Sequence, residues 1–108
     1  MRYEEVLQQA IDLLHEGINE GKITRGAVED TDEHEGNCEQ ITWLVEGVVG
    51  EISDRDILIL TEEMPQLLSR EPNFDYGFTC PMGIMRENLY EILLDAIWNV
   101  FENEEVAK

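Results

Sequence analysis

The sequence predicts an all-α domain, and three observations carry that expectation. Apolar residues recur at three- and four-residue intervals through three long stretches. Capping pairs open two of the expected helices. The lone aliphatic run that could be a strand has no partner to pair with. With 108 residues there is room for one core, so residues 1–108 are read as a single domain: a small bundle of about four helices ending in a long C-terminal one.

In the first helix, Tyr3 to Gly21, the residues Leu7, Ala10, Ile11, Leu14 and Ile18 line one face, while Asp12, Glu16 and Glu20 line another. Gly21 supplies the stop. From Lys22 to Gly36 no apolar period is sustained, and Glu29, Asp30, Asp32, Glu33 and Glu35 make an acidic, solvated loop. The second helix is expected to start at Asn37, where Gln40 completes a capping box, to bury Cys38, Ile41, Val45, Val48 and Ile52, and to end near Gly50. Ser53 with Asp56 opens a short third helix running to about Met64. Four consecutive aliphatics, Ile57 to Leu60, also fit a buried strand over Asp56–Thr61.

The stretch from Ser69 to Pro81 has loop chemistry, yet Phe74, Tyr76 and Phe78 make it too apolar for an idle linker. They are expected to tuck under the domain or to face a partner. The last helix, about Met82 to Asn103, sets Glu87, Glu91, Asp95 and Glu102 on one sector. Its remaining apolar arc is about 200° wide, against about 100° for an ordinary surface helix. That width requires either a central position in the bundle or a second subunit. Leu94, Trp98 and Phe101, with the loop aromatics Phe74, Tyr76 and Phe78, are the candidate dimer contacts.

The charge narrows function further. Twenty-five acidic residues against seven Lys plus Arg give a formal charge of −18, while a hydrophobic content of 43% is enough to fold. Such a surface repels nucleic acid and anionic membranes and attracts proteins with basic grooves. Like charges at i,i+4 cost a helix about 0.2–0.5 kcal/mol per pair. Asp12 with Glu16, Glu16 with Glu20, Glu87 with Glu91 and Glu91 with Asp95 are four such pairs, and the chain has only two lysines to relieve them. Carboxylates one turn apart lie about 6 Å apart along the helix axis, similar to the separation of phosphates along one DNA strand. The twelve candidate partner-binding carboxylates are therefore Asp12, Glu16, Glu20, Glu29, Asp30, Asp32, Glu33, Glu35, Glu87, Glu91, Asp95 and Glu102.

Catalysis finds little in the chain. There is no phosphate-binding glycine loop, no redox CxxC and no Ser/His/Asp constellation, so no enzyme activity and no cofactor are expected. His34 and Cys38 stand four apart without a convincing fourth ligand, and no metal site is expected. An EF-hand reading of the loop from Asp30 fails because Glu35 stands where the turn needs Gly and Ile41 where it needs the closing Glu. Cys38 and Cys80 are read as free thiols of a reducing compartment. No apolar run approaches the roughly 18 residues of a membrane span.

The segment Asn88-Leu89-Tyr90-Glu91-Ile92-Leu93-Leu94-Asp95-Ala96-Ile97-Trp98 resembles the C-terminal helix of the Ocr antirestriction proteins of tailed phages. Chain length, the acidic amphipathic first helix, Asp30-Thr31-Asp32 in the loop and Asp56-Ile57 at the short helix follow in the same order. Tyr90, Glu91, Leu93 and Trp98 match that family's helix, and Asp30 and Asp32 its acidic loop. The resemblance implies an all-helical homodimer in the host cytoplasm that mimics bent B-form DNA and occupies the DNA groove of type I restriction-modification enzymes, with a BREX methyltransferase as another target. The chain departs from the family in ending at Glu102-Asn103-Glu104-Glu105-Val106-Ala107-Lys108 in place of a long acidic tail, and in its aromatic Asn73–Phe78 stretch.

Two other functions suit the composition. One is a polyanionic inhibitor of a different DNA-binding protein, such as a CRISPR effector, a nucleoid protein, a polymerase or a repair glycosylase. The other is an acidic structural or adaptor protein, for which lysine scarcity fits a halophile; that protein would lose structure at low salt.

Overall fold

Four α-helices and one 3₁₀ turn make up the computed structural model, which describes residues 2–68 and 81–106. Helix α1 spans Tyr3–Asn19, α2 Asp32–Glu51, α3 Asp54–Glu63 and α4 Pro81–Val106, with the 3₁₀ turn at Pro65–Leu68. The all-helical expectation holds. Asp56–Thr61 is helical within α3, which sets aside the strand alternative. No helix among the described residues is long and apolar enough to cross a membrane.

Local chemistry explains the ends of α1. At its start the Glu5 carboxylate reaches back to the Arg2 backbone N–H (3.2 Å), and Glu63 from α3 accepts from the Tyr3 N–H at 3.0 Å. At its end Gly21 adopts a φ of 79°. The Gly21 N–H donates to the Ile18 carbonyl and the Lys22 N–H to the Gly17 carbonyl, the paired bonds of a Schellman motif. Gly17 has a second duty: a Cβ there would lie 2.9 Å from Cδ1 of the buried Ile23, so its bare backbone lets the loop fold against α1.

Helix α2 corrects the sequence reading. It starts five residues earlier than Asn37, because the Thr31 hydroxyl accepts from the His34 N–H and caps the first turn. Asn37 is buried inside the helix instead of capping it. Its amide oxygen accepts from the Thr24 N–H (2.7 Å) and its amide nitrogen donates to the Thr24 carbonyl (2.8 Å), which pins the connecting loop to the helix. Ser53 caps α3 through the Asp56 N–H, as its spacing implies.

Helix α4 lies at the centre, touching α1, α2, α3 and the 3₁₀ turn. Its seam of Met85, Leu89, Leu93, Ile97 and Phe101 is buried against Leu14 of α1, Ile41 and Val45 of α2, and Ile57 and Leu60 of α3. Half-buried Tyr90, Ile92, Leu94, Trp98 and Val100 flank that seam and account for the width of the apolar arc. Asn88 is buried too, donating to the Leu67 carbonyl at 2.6 Å and so holding the 3₁₀ turn on α4. At the other end of the contact, the Arg86 guanidinium donates to the carbonyls of Val49 and Ile52 and to Asp54 Oδ1, each at 2.7 Å. One cation of α4 thus closes the C-terminus of α2, where unpaired carbonyls and the negative end of the helix dipole attract it.

Candidate protein-binding acidic surface

The three groups of carboxylates have different surroundings. On α1, Asp12, Glu16 and Glu20 are all exposed. The Gln8 side-chain amide donates to Asp12 Oδ1 at 2.9 Å, which holds that carboxylate in place. Glu20 pairs with Lys22 at 2.9 Å. The Lys22 hydrogen bond, and then its charge, hold the Glu20 carboxyl below the ordinary carboxylate range, while Glu20 raises Lys22 in return. This pair stands in open solvent and adds little to stability. It does leave the top of the stripe less negative than Asp12 and Glu16 below it.

The acidic loop is divided by the cap of α2. Glu29 and Asp30 remain in the connection, with Asp30 at a φ of 66°, a left-handed conformation that Asp tolerates better than most side chains. Asp32, Glu33 and Glu35, expected in the loop, instead form the first turn of α2. There each complements the positive end of the helix dipole by about 0.3–1 kcal/mol. These three carboxylates consequently have a reason to exist that owes nothing to a partner.

On α4, Glu91, Asp95 and Glu102 are exposed and Glu87 is half-buried. Beside them Glu91, Ile92, Leu94, Asp95 and Trp98 line a shallow depression, apolar in its floor and acidic at its edge. Trp98 itself packs within the chain, its ring 6.2 Å from His34 and 5.9 Å, edge-on, from Phe101. Phe101 is buried, so its ring is already covered by its own chain and is withdrawn as a dimer contact. Phe74, Tyr76 and Phe78 lie outside the described residues, as does Cys80. His34 Nε2 sits 3.7 Å from the Cys38 sulfur, and no group of three or more metal-binding side chains occurs among the described residues.

Acidic residues also crowd helix C-termini, where the dipole disfavours them. Glu16 and Glu20 close α1, Glu51 closes α2, and Glu62 and Glu63 close α3, while no basic residue occupies the last turn of any of these helices. A surface shaped for stability alone would reverse that arrangement. Glu63 offsets part of its cost through the Tyr3 N–H; among the described residues the others have no such bond to a helix N-terminus.

Sequence reasoning missed the groove between α1 and α2. Leu13 and Trp43 stand 40% and 57% exposed on its two walls, above Ile23, Leu44 and Val48. The available signal was Trp43, a large aromatic among the polar positions of α2. Comparison with known proteins adds nothing to assign the site: no family model, curated protein or solved structure matches the chain.

Proposed function

We propose that the protein is a non-enzymatic, DNA-mimicking inhibitor that fills the basic DNA-binding groove of a host defence enzyme, a type I restriction-modification enzyme first and a BREX methyltransferase second. The observation that carries this reading is a net charge of −18 over the sequence, together with exposed carboxylates one turn apart at Asp12, Glu16 and Glu20 and at Glu91 and Asp95. The placement of Glu16 and Glu20 at the C-terminus of α1, and of Glu51 at that of α2, supports it, since the fold accepts a cost there that a binding role explains. The resemblance to the Ocr proteins rests on the residues of the last helix and the acidic loop. Acting in the cytoplasm of a phage-infected host belongs to the same proposal.

Binding of this kind releases the anions condensed on the basic groove, so affinity should fall steeply with salt. The decisive variant neutralises Asp12, Glu16, Glu20, Glu87, Glu91 and Asp95 together by amide substitution. Inhibition of a type I restriction enzyme should be lost, and competition with duplex DNA with it, while thermal stability holds or rises as the like-charge pairs disappear. Full inhibition by the sixfold variant removes these stripes from the mechanism.

We also propose a homodimer, in which the half-buried Ile92, Leu94 and Trp98 of α4 supply the apolar contact. Sedimentation equilibrium at micromolar concentration tests it. A strictly monomeric species ends the dimer proposal without touching the first.

A further inference from the structure

The groove between α1 and α2 has a composition that the acidic stripes alone do not explain. Its floor is apolar, with Ile23 and Val48 buried and Leu44 half-buried. Trp43 rises from α2 with 57% of its surface exposed, and Leu13 from α1 with 40%. Four carboxylates, Asp12, Glu16, Glu20 and Glu51, edge the groove against one ammonium, Lys22, which Glu20 already engages. The volume, about 640 Å³, exceeds what a single side chain fills. Gly47, one turn beyond Trp43, leaves the α2 wall open: a Cβ there would meet nothing within 4 Å. Among the described residues no packing requirement accounts for a glycine at this helical position, which costs about 0.5–1 kcal/mol relative to alanine.

We propose that this groove is a docking site for a basic amphipathic helix of a partner protein, which sets an apolar side chain against Leu13 and Leu44 and an arginine over the Trp43 indole. The helical form follows from the channel between two helices, which takes a third through anchors spaced three and four residues apart. The basic face follows from the rim. A guanidinium over an indole combines stacking with attraction to the ring face, and neighbouring lysines reach Asp12, Glu16 and Glu51. At this groove charge disfavours the occupants that carry negative charge. A second copy would set two acidic rims against each other, and nucleic acid or an anionic membrane would be repelled in the same way.

This inference rests on the reading of the acidic surface as one that meets a basic protein, and it adds a shape requirement to that reading. A DNA mimic acting by charge alone recognises any sufficiently basic surface; a chain with this groove discriminates among them.

The test uses two synthetic peptides of about five helical turns with identical composition. One arranges Arg and Lys on one helical face and Leu on the other, and its companion is scrambled to abolish the apolar face. Titration calorimetry and tryptophan fluorescence follow binding to the full chain, to Gly47→Leu, which fills the groove while keeping all 25 acidic residues, and to Trp43→Ala. The amphipathic peptide should bind about tenfold or more tightly than the scrambled one, and each substitution should remove that advantage while leaving the scrambled peptide's weak, salt-sensitive binding unchanged. Equal binding of the two peptides, or no effect of Gly47→Leu, overturns the groove proposal and leaves the polyanionic reading standing. Absence of binding by either peptide at low salt overturns both.

Discussion

Arg86 is the residue whose loss should test the architecture most directly. Its guanidinium serves three acceptors at 2.7 Å: the Val49 and Ile52 carbonyls at the end of α2, and the Asp54 carboxylate that opens α3. The side chain is 25% exposed, whereas Asp54 is 73% exposed, so water screens the ion pair far more than the carbonyl bonds. A hydrogen bond from a charged donor contributes about 1.5–3 kcal/mol, and carbonyls left at a helix end recover part of that from water. Allowing for that recovery, Arg86→Met should cost about 2–4 kcal/mol, a fall of about 10–20 °C in melting temperature for a chain of this size. Arg86→Lys keeps the charge but lacks the fork that spans two carbonyls, and should fall between the two. Arg55→Met is the control, because Arg55 is exposed and its removal changes net charge by the same amount. Urea denaturation monitored by circular dichroism reads all three. If Arg86→Met is no less stable than Arg55→Met, the guanidinium does not clamp α2. If Arg86→Lys is fully stable, charge near the helix end suffices and the bidentate geometry is irrelevant.

Three other outcomes follow from the same packing. Asn37→Ala strands the Thr24 N–H and carbonyl and should destabilise by about 1–3 kcal/mol, read by denaturant midpoint, with faster hydrogen exchange at the Thr24 amide. Gly47→Ala places a methyl in open space on α2 and should stabilise by about 0.5–1 kcal/mol in the same assay. Burial raises the Tyr3 hydroxyl above its ordinary value of 10.0, so the unfolded chain loses that proton first. The resulting stability is complete below pH 10 and is lost as pH rises through the folded value; melting temperatures of the parent should therefore fall more steeply above pH 10 than those of Tyr3→Phe.

Much of the helical framework was legible because the information is local. The spacing of Ala10 and Leu14, the stop at Gly21 and the Ser53 cap each operate within one or two turns, and the structure keeps all of them. The exposure of Asp12, Glu16, Glu20, Glu91 and Asp95 was legible for the same reason: a helix with one apolar face must turn its charges away from the core. Even the width of the apolar arc on α4 announced a helix with neighbours on several sides. It did not say which neighbours: Phe101, expected at a subunit contact, is buried in its own chain, while Trp98 packs against Phe101 and His34 and stays half-buried.

What the tertiary structure alone decided is every contact between residues distant in sequence. Asn37 followed by Gln40 has the letters of a capping box, but the loop at Thr24 gives that amide two partners, and α2 begins at Asp32 under a Thr31 cap. Nothing near Arg86 in the chain identifies the carbonyls it caps, which lie 34 and 37 residues away. The groove beside Trp43 belongs to neither α1 nor α2 taken singly; it is lined by residues of both helices and of the loop between them. A helix's periodicity is written in its own residues, whereas the cavity and the cap depend on which faces meet, and that is set only when all four helices share one core.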